Sequence, residues 1–315
     1  MTGLAENISN KSNPLLSIIL PVLNGGETIR DSIDSLTNQD FKDFEILVND
    51  GGSSDNTHEI VNEYARRDPR IKLFTEKSSL GDSLNFLLSK ASGKYCARMD
   101  ADDISLPTRF TSQINLLDTN DDVVLLGTQI SYLVGDKVIP RTPYSCDHSK
   151  ILADLEKGIF TLAHPSIMFR TDEARIIGGY RQTGVGEDLQ FFLDLSRRGK
   201  LANTADVGLL YRYSSGSITS DPKNAEIIEM KYAFTLKKWH SDNDMLSFEE
   251  FANEWKNRSI TKKAISWLNH KGNFLFFKHL ILIESKPITS YLFLFLSTIC
   301  KPGAAIRHLK RRLLG

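Results

Sequence analysis

Short apolar runs alternate with segments of helical periodicity through the first third of the chain, and this alternation limits the fold more than any other feature. Continuous apolar runs predict strands buried on both faces, and the segments between them carry a single apolar stripe. Because strands and helices alternate with short turns, we predict a mainly parallel central sheet flanked by helices on both sides. The predicted strands are Leu15–Leu20, Phe44–Val48, Ile71–Phe74 and 94–99.

The pattern becomes less regular in the middle of the chain. We predict strands at 123–126, extending toward Leu133, at 166–169 and at 209–213, with a polar loop at 134–147. Beyond the last of these strands, only helical patterns remain.

The chain is therefore expected to have three parts: an N-terminal arm without regular structure (1–13), an α/β domain (14–220) and a helical C-terminal extension (221–315) that is apolar and basic. Overall net charge is zero, which gives no reason to expect a nucleic-acid partner. Residues 271–315, however, carry eight Lys or Arg and one acid, Glu284, which leaves 31 bases and 38 acids in the remainder. An acidic body with a basic end suggests that the end meets a partner surface.

The cysteines and the terminus indicate the compartment. Three cysteines at positions 96, 146 and 300 match no zinc spacing, and we expect small buried hydrophobes in a reducing compartment. The polar N-terminal arm has no signal-peptide core, and the longest weakly polar run, Ile288–Cys300, is too short to span a bilayer. We therefore expect a cytoplasmic protein.

Three residues lie at the carboxyl ends of predicted strands: Pro21, Asp50 and Asp100. Ligands of open α/β sheets bind beyond these ends. One cleft is therefore predicted to collect all three loops.

An acidic cluster follows the fourth strand, with carboxylates at Asp100, Asp102 and Asp103. Like charges at this spacing repel one another, so the cluster makes sense mainly beside a cation. Mg²⁺ or Mn²⁺ would suit it, because hard cations prefer carboxylates and share their shell with a substrate's phosphates. The alternative is an acidic turn that caps the helix starting near Pro107.

Two other acidic segments also have two interpretations. Asp50–Asp55 is either a tight turn with a helix cap, or a site where Asp50 accepts hydrogen bonds from a nucleobase or a ribose. Glu187 and Asp188 are either first-turn acids favoured by the helix dipole, or a general base on a short loop beside the metal cleft.

The basic candidates are equally open. Arg98 and Arg212 can contact an anion in the cleft or pair with a nearby acid, and Arg98 shares a strand face with Asp100. His164 is expected to be a packed or hydrogen-bonded structural histidine.

Four motifs in order strongly resemble glycosyltransferase family 2 over roughly residues 15–220. They are Ser17–Asn24, Asp50–Thr57, Ala97–Asp103 and Glu187–Asp188. The resemblance implies the GT-A-type nucleotide-diphospho-sugar transferase fold and inverting chemistry.

The resemblance also implies residue roles. Asp188 would be the catalytic base, with Glu187 as the less favoured candidate, and Asp102 would bind the metal on the donor diphosphate, with Asp100 as a second ligand. The donor-binding set is Pro21, Val22, Leu23, Asn24, Asp50, Gly81, Arg98, Asp100 and Arg212.

The implied function is transfer of a sugar from a nucleotide-diphosphate sugar, with UDP-sugars favoured, to a hydroxyl of a glycan or lipid-linked acceptor. Cell-surface polysaccharide biosynthesis, of lipopolysaccharide or capsule, is the expected setting. One alternative is a non-catalytic subunit that binds nucleotide sugar or glycan within a membrane-associated assembly. A nucleotidyltransferase ranks lower, because Asn24–Glu27 carries no basic residue for a triphosphate.

The extension combines apolar runs with basic residues from Lys301 onward. These helices either complete the core or lie on an anionic cytoplasmic leaflet, and we favour membrane contact because apolar and cationic character coincide. The enzyme would then be peripheral on the inner face of the plasma membrane.

Overall fold

The computed structural model describes residues 13–181, 186–213, 222–241, 247–259 and 292–297. The predicted N-terminal arm and most of the predicted extension beyond residue 259 lie outside the described residues. Cys300 lies outside them as well.

Strands and helices alternate as the sequence predicts. The strands are β1 (Leu16–Val22), β2 (Phe44–Asp50), β3 (Ile71–Phe74), β4 (Tyr95–Arg98), β5 (Ile104–Ser105), β6 (Val123–Val134), β7 (Lys137–Pro140), β8 (Met168–Arg170) and β9 (Lys200–Arg212). The helices are α1 (Ile29–Thr37), α2 (Thr57–Arg67), α3 (Leu80–Lys90), α4 (Arg109–Thr119), α5 (His148–Leu155), α6 (Thr171–Ile176), α7 (Glu187–Ser196), α8 (Pro222–Ser241) and α9 (Phe248–Lys256). A 3₁₀ turn covers His164–Ser166, and 292–297 is helical.

One sheet organises the described residues, in the order β3-β2-β1-β4-β8-β6-β9-β5, with β7 paired to β6. The first four strands are parallel, and so are β6 and β9. Strand β8 runs antiparallel to both β4 and β6, and β5 and β7 are also antiparallel to their partners. The mainly parallel sheet is confirmed, but the sequence did not predict these antiparallel strands, because an apolar run indicates burial and not direction.

The sheet separates two apolar cores. Successive side chains of β1 point to opposite faces of the sheet, so the strand contributes residues to both cores. Leu16, Ile18 and Leu20 pack on the side of α1, α2 and α4, whereas Ile19 packs on the side of α3, α5 and α7. Both faces of the strand are buried, which explains its unbroken apolar run.

Three details differ from the prediction. The segment 134–147 is not all loop, because β7 forms a hairpin with β6 through Gly135, whose φ is +58°. Three of the four β7 residues are exposed, so the strand has no apolar run to reveal it. The last strand begins at Lys200 rather than at residue 209, since its first half pairs with β6 through bulges. Cys96 is buried as predicted, but Cys146 is exposed.

Candidate active site

The carboxyl ends of β1 and β2 are held in register. Pro21 pairs with Asn49 and Val22 with Asp50, and the N–H of Gly51 donates to the carbonyl of Val22 at 2.9 Å. The backbone beyond both strands is thereby fixed at one edge of the sheet.

The Asp50 side chain is buried and folds back on its own loop. Its Oδ1 accepts hydrogen bonds from the backbone N–H groups of Gly52 at 3.2 Å and Ser53 at 2.8 Å. Its Oδ2 lies 3.5 Å from Nδ1 of His58. Asp50 therefore closes the tight turn, while Asn56 is the N-cap of α2 and one oxygen of Asp50 is directed toward that helix. Contact of Asp50 with a nucleoside stays a prediction.

The loop after β1 leans against the same turn. Asn24 adopts a left-handed conformation (φ 53°), and its Oδ1 accepts from the N–H of Ser54 at 2.8 Å. The N–H of Asn24 donates to Oγ of Ser53 at 2.8 Å, while the Leu23 side chain is 62% exposed. An exposed leucine beside an ordered polar loop is available to a ligand.

Asn49, which the sequence analysis did not select, secures the loop that follows β3. Its buried amide donates to the carbonyl of Glu76 at 3.0 Å and to Oγ of Ser83 at 2.8 Å, and accepts from the N–H of Glu76 at 2.9 Å. This clasp brings the loop against the turn after Asp50, where the Lys77 side chain lies 3.6 Å from the position a Gly52 Cβ would take. The predicted donor residue Gly81 is buried in the first turn of α3, directly after that loop.

The acidic cluster lies just beyond β4. Carboxylate oxygens of Asp100, Asp102 and Asp103 all fall within 4.8 Å of one another. Arg98 forms a two-point ion pair with Asp100, with Nη2 to Oδ1 at 2.6 Å and Nη1 to Oδ2 at 2.8 Å. Of the two alternatives for Arg98, the structure shows the pairing with a nearby acid, and contact with an anion stays a prediction.

The two remaining acids hold their protons more tightly than usual. Burial, followed by the charge of Asp100, raises the pKa of Asp102 to about 6. The same two causes raise the pKa of Asp103 well above its ordinary value. Oδ1 of Asp103 accepts from the N–H of Arg212 at 2.8 Å, whereas its buried Oδ2 has no hydrogen-bond partner among the residues that the structure describes.

The carboxylates of Asp100, Asp102 and Asp103 are suitable ligands for a divalent cation. Three clustered carboxylates form a hard, oxygen-only ligand set, which suits Mg²⁺ or Mn²⁺. The orphaned oxygen of Asp103 and the raised pKa values of Asp102 and Asp103 are what a cation would relieve, because a positive charge favours ionised carboxylates.

Arg212 supports this loop from β9. Its Nε donates to the carbonyl of Asp102 at 2.6 Å, and its Nη2 pairs with Oδ2 of Asp31 on α1 at 3.0 Å. The guanidinium therefore ties the acidic loop to α1 in addition to any contact with a donor.

The predicted base sits at the start of α7. Gly186 precedes the helix in a left-handed conformation (φ 89°), Glu187 is buried, and Asp188 remains partly accessible to solvent. Oδ1 of Asp188 accepts from the N–H of Leu189 at 2.8 Å, and Oδ2 accepts from the hydroxyl of Tyr232 at 3.3 Å. Burial, followed by the charge of Glu187, raises the pKa of Asp188 to about 7, close to the value that suits a general base.

Arg98 connects the two acidic groups electrostatically. It pairs with Asp100 and also lowers the pKa values of Glu187 and Asp188 relative to burial alone. Beneath it, Arg109 is fully buried and donates from Nη2 to the Arg98 carbonyl at 2.9 Å. Burial lowers the pKa of Arg109 to about 9.

His164 is a structural residue, as predicted. Its Nε2 lies 3.1 Å from the hydroxyl of Tyr180, and its ring packs edge-on against Phe192. Burial lowers its pKa well below the usual histidine value, so it is neutral near pH 7.

Like Asn49, three further residues of this site were not predicted from the sequence: Arg109, Tyr180 and Tyr232. The buried arginine falls on the apolar face of α4, beside Phe110, and a charge in that stripe is the signal that could have revealed it. Tyr180 and Tyr232 lie in segments with no recognisable motif.

The loops that follow β1, β2 and β4 lie at one edge of the sheet, as the family resemblance implies. The family model described as Glycosyl transferase family 2 matches residues 17–175. The chain belongs to glycosyltransferase family 2. An uncharacterized glycosyltransferase of Haemophilus influenzae is 32% identical over 246 residues, covering 73% of this chain and 73% of the relative. The O-antigen biosynthesis glycosyltransferase WbnJ of Escherichia coli is 33% identical over 183 residues, covering 57% of this chain and 70% of WbnJ.

Two solved structures share the fold of this family 2 glycosyltransferase. Staphylococcus aureus TarS 1–349, in complex with UDP-GlcNAc, superposes with a TM-score of 0.59 at 17% identity, covering 90% of this chain and 91% of that one. The mannosyltransferase PcManGT from Pyrobaculum calidifontis, in complex with GDP-Man and Mn²⁺, superposes with a TM-score of 0.55 at 15% identity, covering 96% and 81%. These likenesses establish the GT-A-like fold.

Within the described ranges, none of the helices has both the length and the apolar character needed to cross a bilayer.

Proposed function

We propose that this chain is a metal-dependent, inverting glycosyltransferase that uses a nucleotide-diphosphate sugar, with a UDP-sugar favoured. One observation carries the proposal: Arg98 is ion-paired to Asp100 in the cluster of three carboxylates, and its charge also acts on the partly accessible Asp188. A cation-binding group and a base would therefore lie near the same guanidinium.

The donor's nucleoside would lie over the loops after β1 and β2. Pro21 to Asn24 and Asp50 form that surface, with the exposed side chain of Leu23 available to cover the base. Gly81 closes the surface at the start of α3, and Asp100 would approach the ribose. Arg98 and Arg212 would face the phosphates, each already oriented by an acid, Asp100 and Asp31 respectively.

Asp102 would hold the metal, with Asp100 as a second ligand, and Asp103 offers a further carboxylate oxygen within 4.8 Å of theirs. When bound, Mn²⁺ or Mg²⁺ would supply positive charge against the diphosphate leaving group.

Asp188 would act as the general base. It would accept the proton of the acceptor hydroxyl as the acceptor oxygen forms its bond to the anomeric carbon. The bond from the anomeric carbon to the phosphate oxygen breaks, and its electron pair leaves with the nucleoside diphosphate. A single displacement from the opposite face inverts the anomeric centre, through the oxocarbenium-like state shared with glycoside hydrolysis.

The acceptor we propose is a hydroxyl of a glycan or lipid-linked glycan in cell-surface polysaccharide biosynthesis. The relative WbnJ is an O-antigen biosynthesis glycosyltransferase, which supports this setting. A UDP-sugar is favoured, and the GDP-Man complex of PcManGT makes a guanosine donor the competitor to test.

We also propose that the C-terminal extension contacts an anionic membrane surface on the cytoplasmic side. In the described segment 292–297, Leu292, Phe295 and Leu296 are exposed while Leu294 is buried. Basic residues follow this segment in the sequence, from Lys301 to Arg312. Apolar anchoring together with cationic attraction is what stable peripheral binding requires.

Thermal shift with UDP, GDP, CDP and dTDP, each with and without Mn²⁺, tests the donor site. Binding to the folded state raises the unfolding temperature, so we expect UDP to raise it only when Mn²⁺ is present. The Asp102→Ala variant should lose this shift, while the exposed-site control Asp136→Ala should keep it.

A shift that does not need metal, or that survives in Asp102→Ala, would contradict the metal assignment. No shift with any nucleotide would contradict the donor class. A metal-dependent UDP shift without turnover of any UDP-sugar would favour the non-catalytic binding subunit instead.

A further inference from the structure

Helix α8 lies outside the residues that the family model matches, yet it brings a hydroxyl to the proposed base. The Tyr232 hydroxyl donates to Oδ2 of Asp188 at 3.3 Å, and the N–H of Leu189 donates to Oδ1 at 2.8 Å. We propose that Tyr232 is a positioning residue for Asp188, so that the C-terminal extension completes the active site. This inference rests on the proposed role of Asp188 as the base.

The tyrosine ring is held on two sides. Phe160 packs against it with ring centroids 4.7 Å apart. On the other side lies Gly186, where an added Cβ would come within 3.0 Å of Cε1 of Tyr232. Gly186 also has a φ of 89°, a conformation that favours glycine. The glycine before Glu187 therefore has a second function: it lets Tyr232 approach the start of α7.

The rest of α8 is fixed to the transferase domain by polar contacts. Trp239 donates from Nε1 to Oε1 of Glu156 at 3.2 Å, and Nε2 of His240 lies 3.0 Å from the Glu156 carbonyl. The guanidinium of Arg197, just after α7, lies 4.1 Å from the Trp239 ring centroid. Asp188 lies on α7 and Tyr232 on α8. The contact between Arg197 and Trp239 joins these two helices and helps to set the distance between the two side chains.

Each oxygen of Asp188 thus has one donor, which fixes the rotation of the carboxylate and stabilises its ionised form. Several other groups act on this pair from the elements packed around it. They are Glu187 on α7, Arg98 on β4, Tyr180 before α7, Lys231 on α8 beside Glu187, and Tyr211 on β9 facing Tyr232. Glu187 opposes ionisation of Asp188, whereas Arg98 and the Tyr232 hydroxyl favour it.

The test is a carbon NMR titration of the full chain labelled with aspartate at Cγ, which needs no substrate. The resonance missing from Asp188→Asn identifies Asp188. In Tyr232→Phe we expect its titration midpoint to rise by about 0.5–1 pH unit, because a donor to the ionised form is lost. The ionised fraction below the midpoint would fall about three- to tenfold.

Tyr64→Phe is the matched control, because the Tyr64 hydroxyl also donates to an aspartate, Asp34, but on α1 away from the cleft. It should leave the Asp188 midpoint unchanged. Phe160→Leu keeps the Tyr232 hydroxyl but weakens the packing of the Tyr232 ring, so it should raise the titration midpoint of Asp188 by less than Tyr232→Phe does. It replaces Tyr232→Phe as the test if that variant does not fold. An unchanged midpoint in either folded cleft variant would overturn the proposal. Full turnover by Asp188→Asn would instead overturn the base assignment, without altering what the titration reports about Tyr232.

Discussion

Asp100 and Asp188 are the same residue type at the same sheet edge, but their surroundings give them different chemistry. Asp100 is locked into a two-point ion pair with Arg98, whereas Asp188 accepts only single hydrogen bonds from Leu189 and Tyr232. Burial next to Glu187 raises the pKa of Asp188 to about 7. A carboxylate that can take and release a proton near neutral pH is suited to act as a base, and one that is ion-paired is suited to binding.

Turnover should therefore depend on the ionised form of Asp188. Because ionisation increases with pH, we expect kcat/KM to rise about tenfold per pH unit below pH 7 and to level off above it. Asp188→Asn should lower kcat by about 10²–10⁴-fold and leave the nucleotide-induced thermal shift intact, since general-base action is lost and donor binding is not. The measurement is initial rate against pH with the donor that the nucleotide panel selects.

Glu187→Gln is the matched control for that experiment. If Asp188 is the base, kcat/KM of this variant still rises with pH, but the rise occurs at lower pH, because the neighbouring negative charge that raises the pKa of Asp188 is removed. If the rise of kcat/KM with pH is lost in Glu187→Gln but normal in Asp188→Asn, Glu187 is the general base instead.

At the scale of elements, the turn between α3 and β4 fixes the position of β4, the strand that ends at Arg98 just before the acidic cluster. Oγ of Ser17 on β1 accepts from the N–H groups of Ser92 and Gly93, at 3.0 and 2.9 Å, and donates to Glu45 on β2 at 2.7 Å. A methyl group at Gly93 would lie 2.6 Å from the backbone nitrogen of Ser17 and 2.8 Å from the carbonyl oxygen of Tyr95. Backbone atoms cannot give way as a flexible side chain can.

Gly93→Ala is accordingly expected to lower the free energy of unfolding by about 1–3 kcal/mol or more, as overpacking does elsewhere. Gly81→Ala is the matched control: Gly81 is also buried, lies in helix α3, and an added Cβ would meet no atom of the described residues within 4 Å, so the change should stabilise by about 0.5–1 kcal/mol. Urea unfolding curves compare the two. Equal stability changes would show that the turn is more adaptable than its contacts indicate, and a weaker nucleotide shift in Gly81→Ala would place that glycine at the donor.

At the scale of the whole molecule, the charge is divided between an acidic body and a basic end. The net charge of zero conceals eight bases and one acid in residues 271–315. If, as proposed above, this basic end meets an anionic leaflet, it would orient the protein there.

Replacing Lys310, Arg311 and Arg312 by Glu in the full chain tests this orientation. We expect co-sedimentation with phosphatidylserine-containing vesicles to weaken at least about tenfold, because each basic residue near the surface contributes about 1 kcal/mol. Phosphatidylcholine vesicles should bind neither protein strongly. The control reverses three exposed bases of the body, Lys42, Arg66 and Lys157, and should bind like the unaltered protein. Equal partitioning of all three proteins would remove the membrane from the proposed function.

The sequence by itself determined the features that depend on local patterns. Mostly apolar runs marked β1, β2 and β4, because strands buried on both faces carry few polar residues. The buried Ser17 and Glu45 are hydrogen-bonded to each other, and the buried Arg98 is ion-paired to Asp100. Parallel strands end at the same edge of a sheet, so the positions of Asp50 and Asp100 after two such runs predicted that both lie at one edge, where ligands bind.

The tertiary structure alone decided what depends on contacts between distant segments. Strand direction in β8, the exposed hairpin strand β7, the clasp of Asn49 and the buried Arg109 leave no local signature, because each is fixed by partners far along the chain. The same holds for the pairing of Asp188 with Tyr232, which are separated by 44 residues. Which carboxylate keeps its proton depends on burial and neighbouring charge, and both of these exist only once the chain has folded.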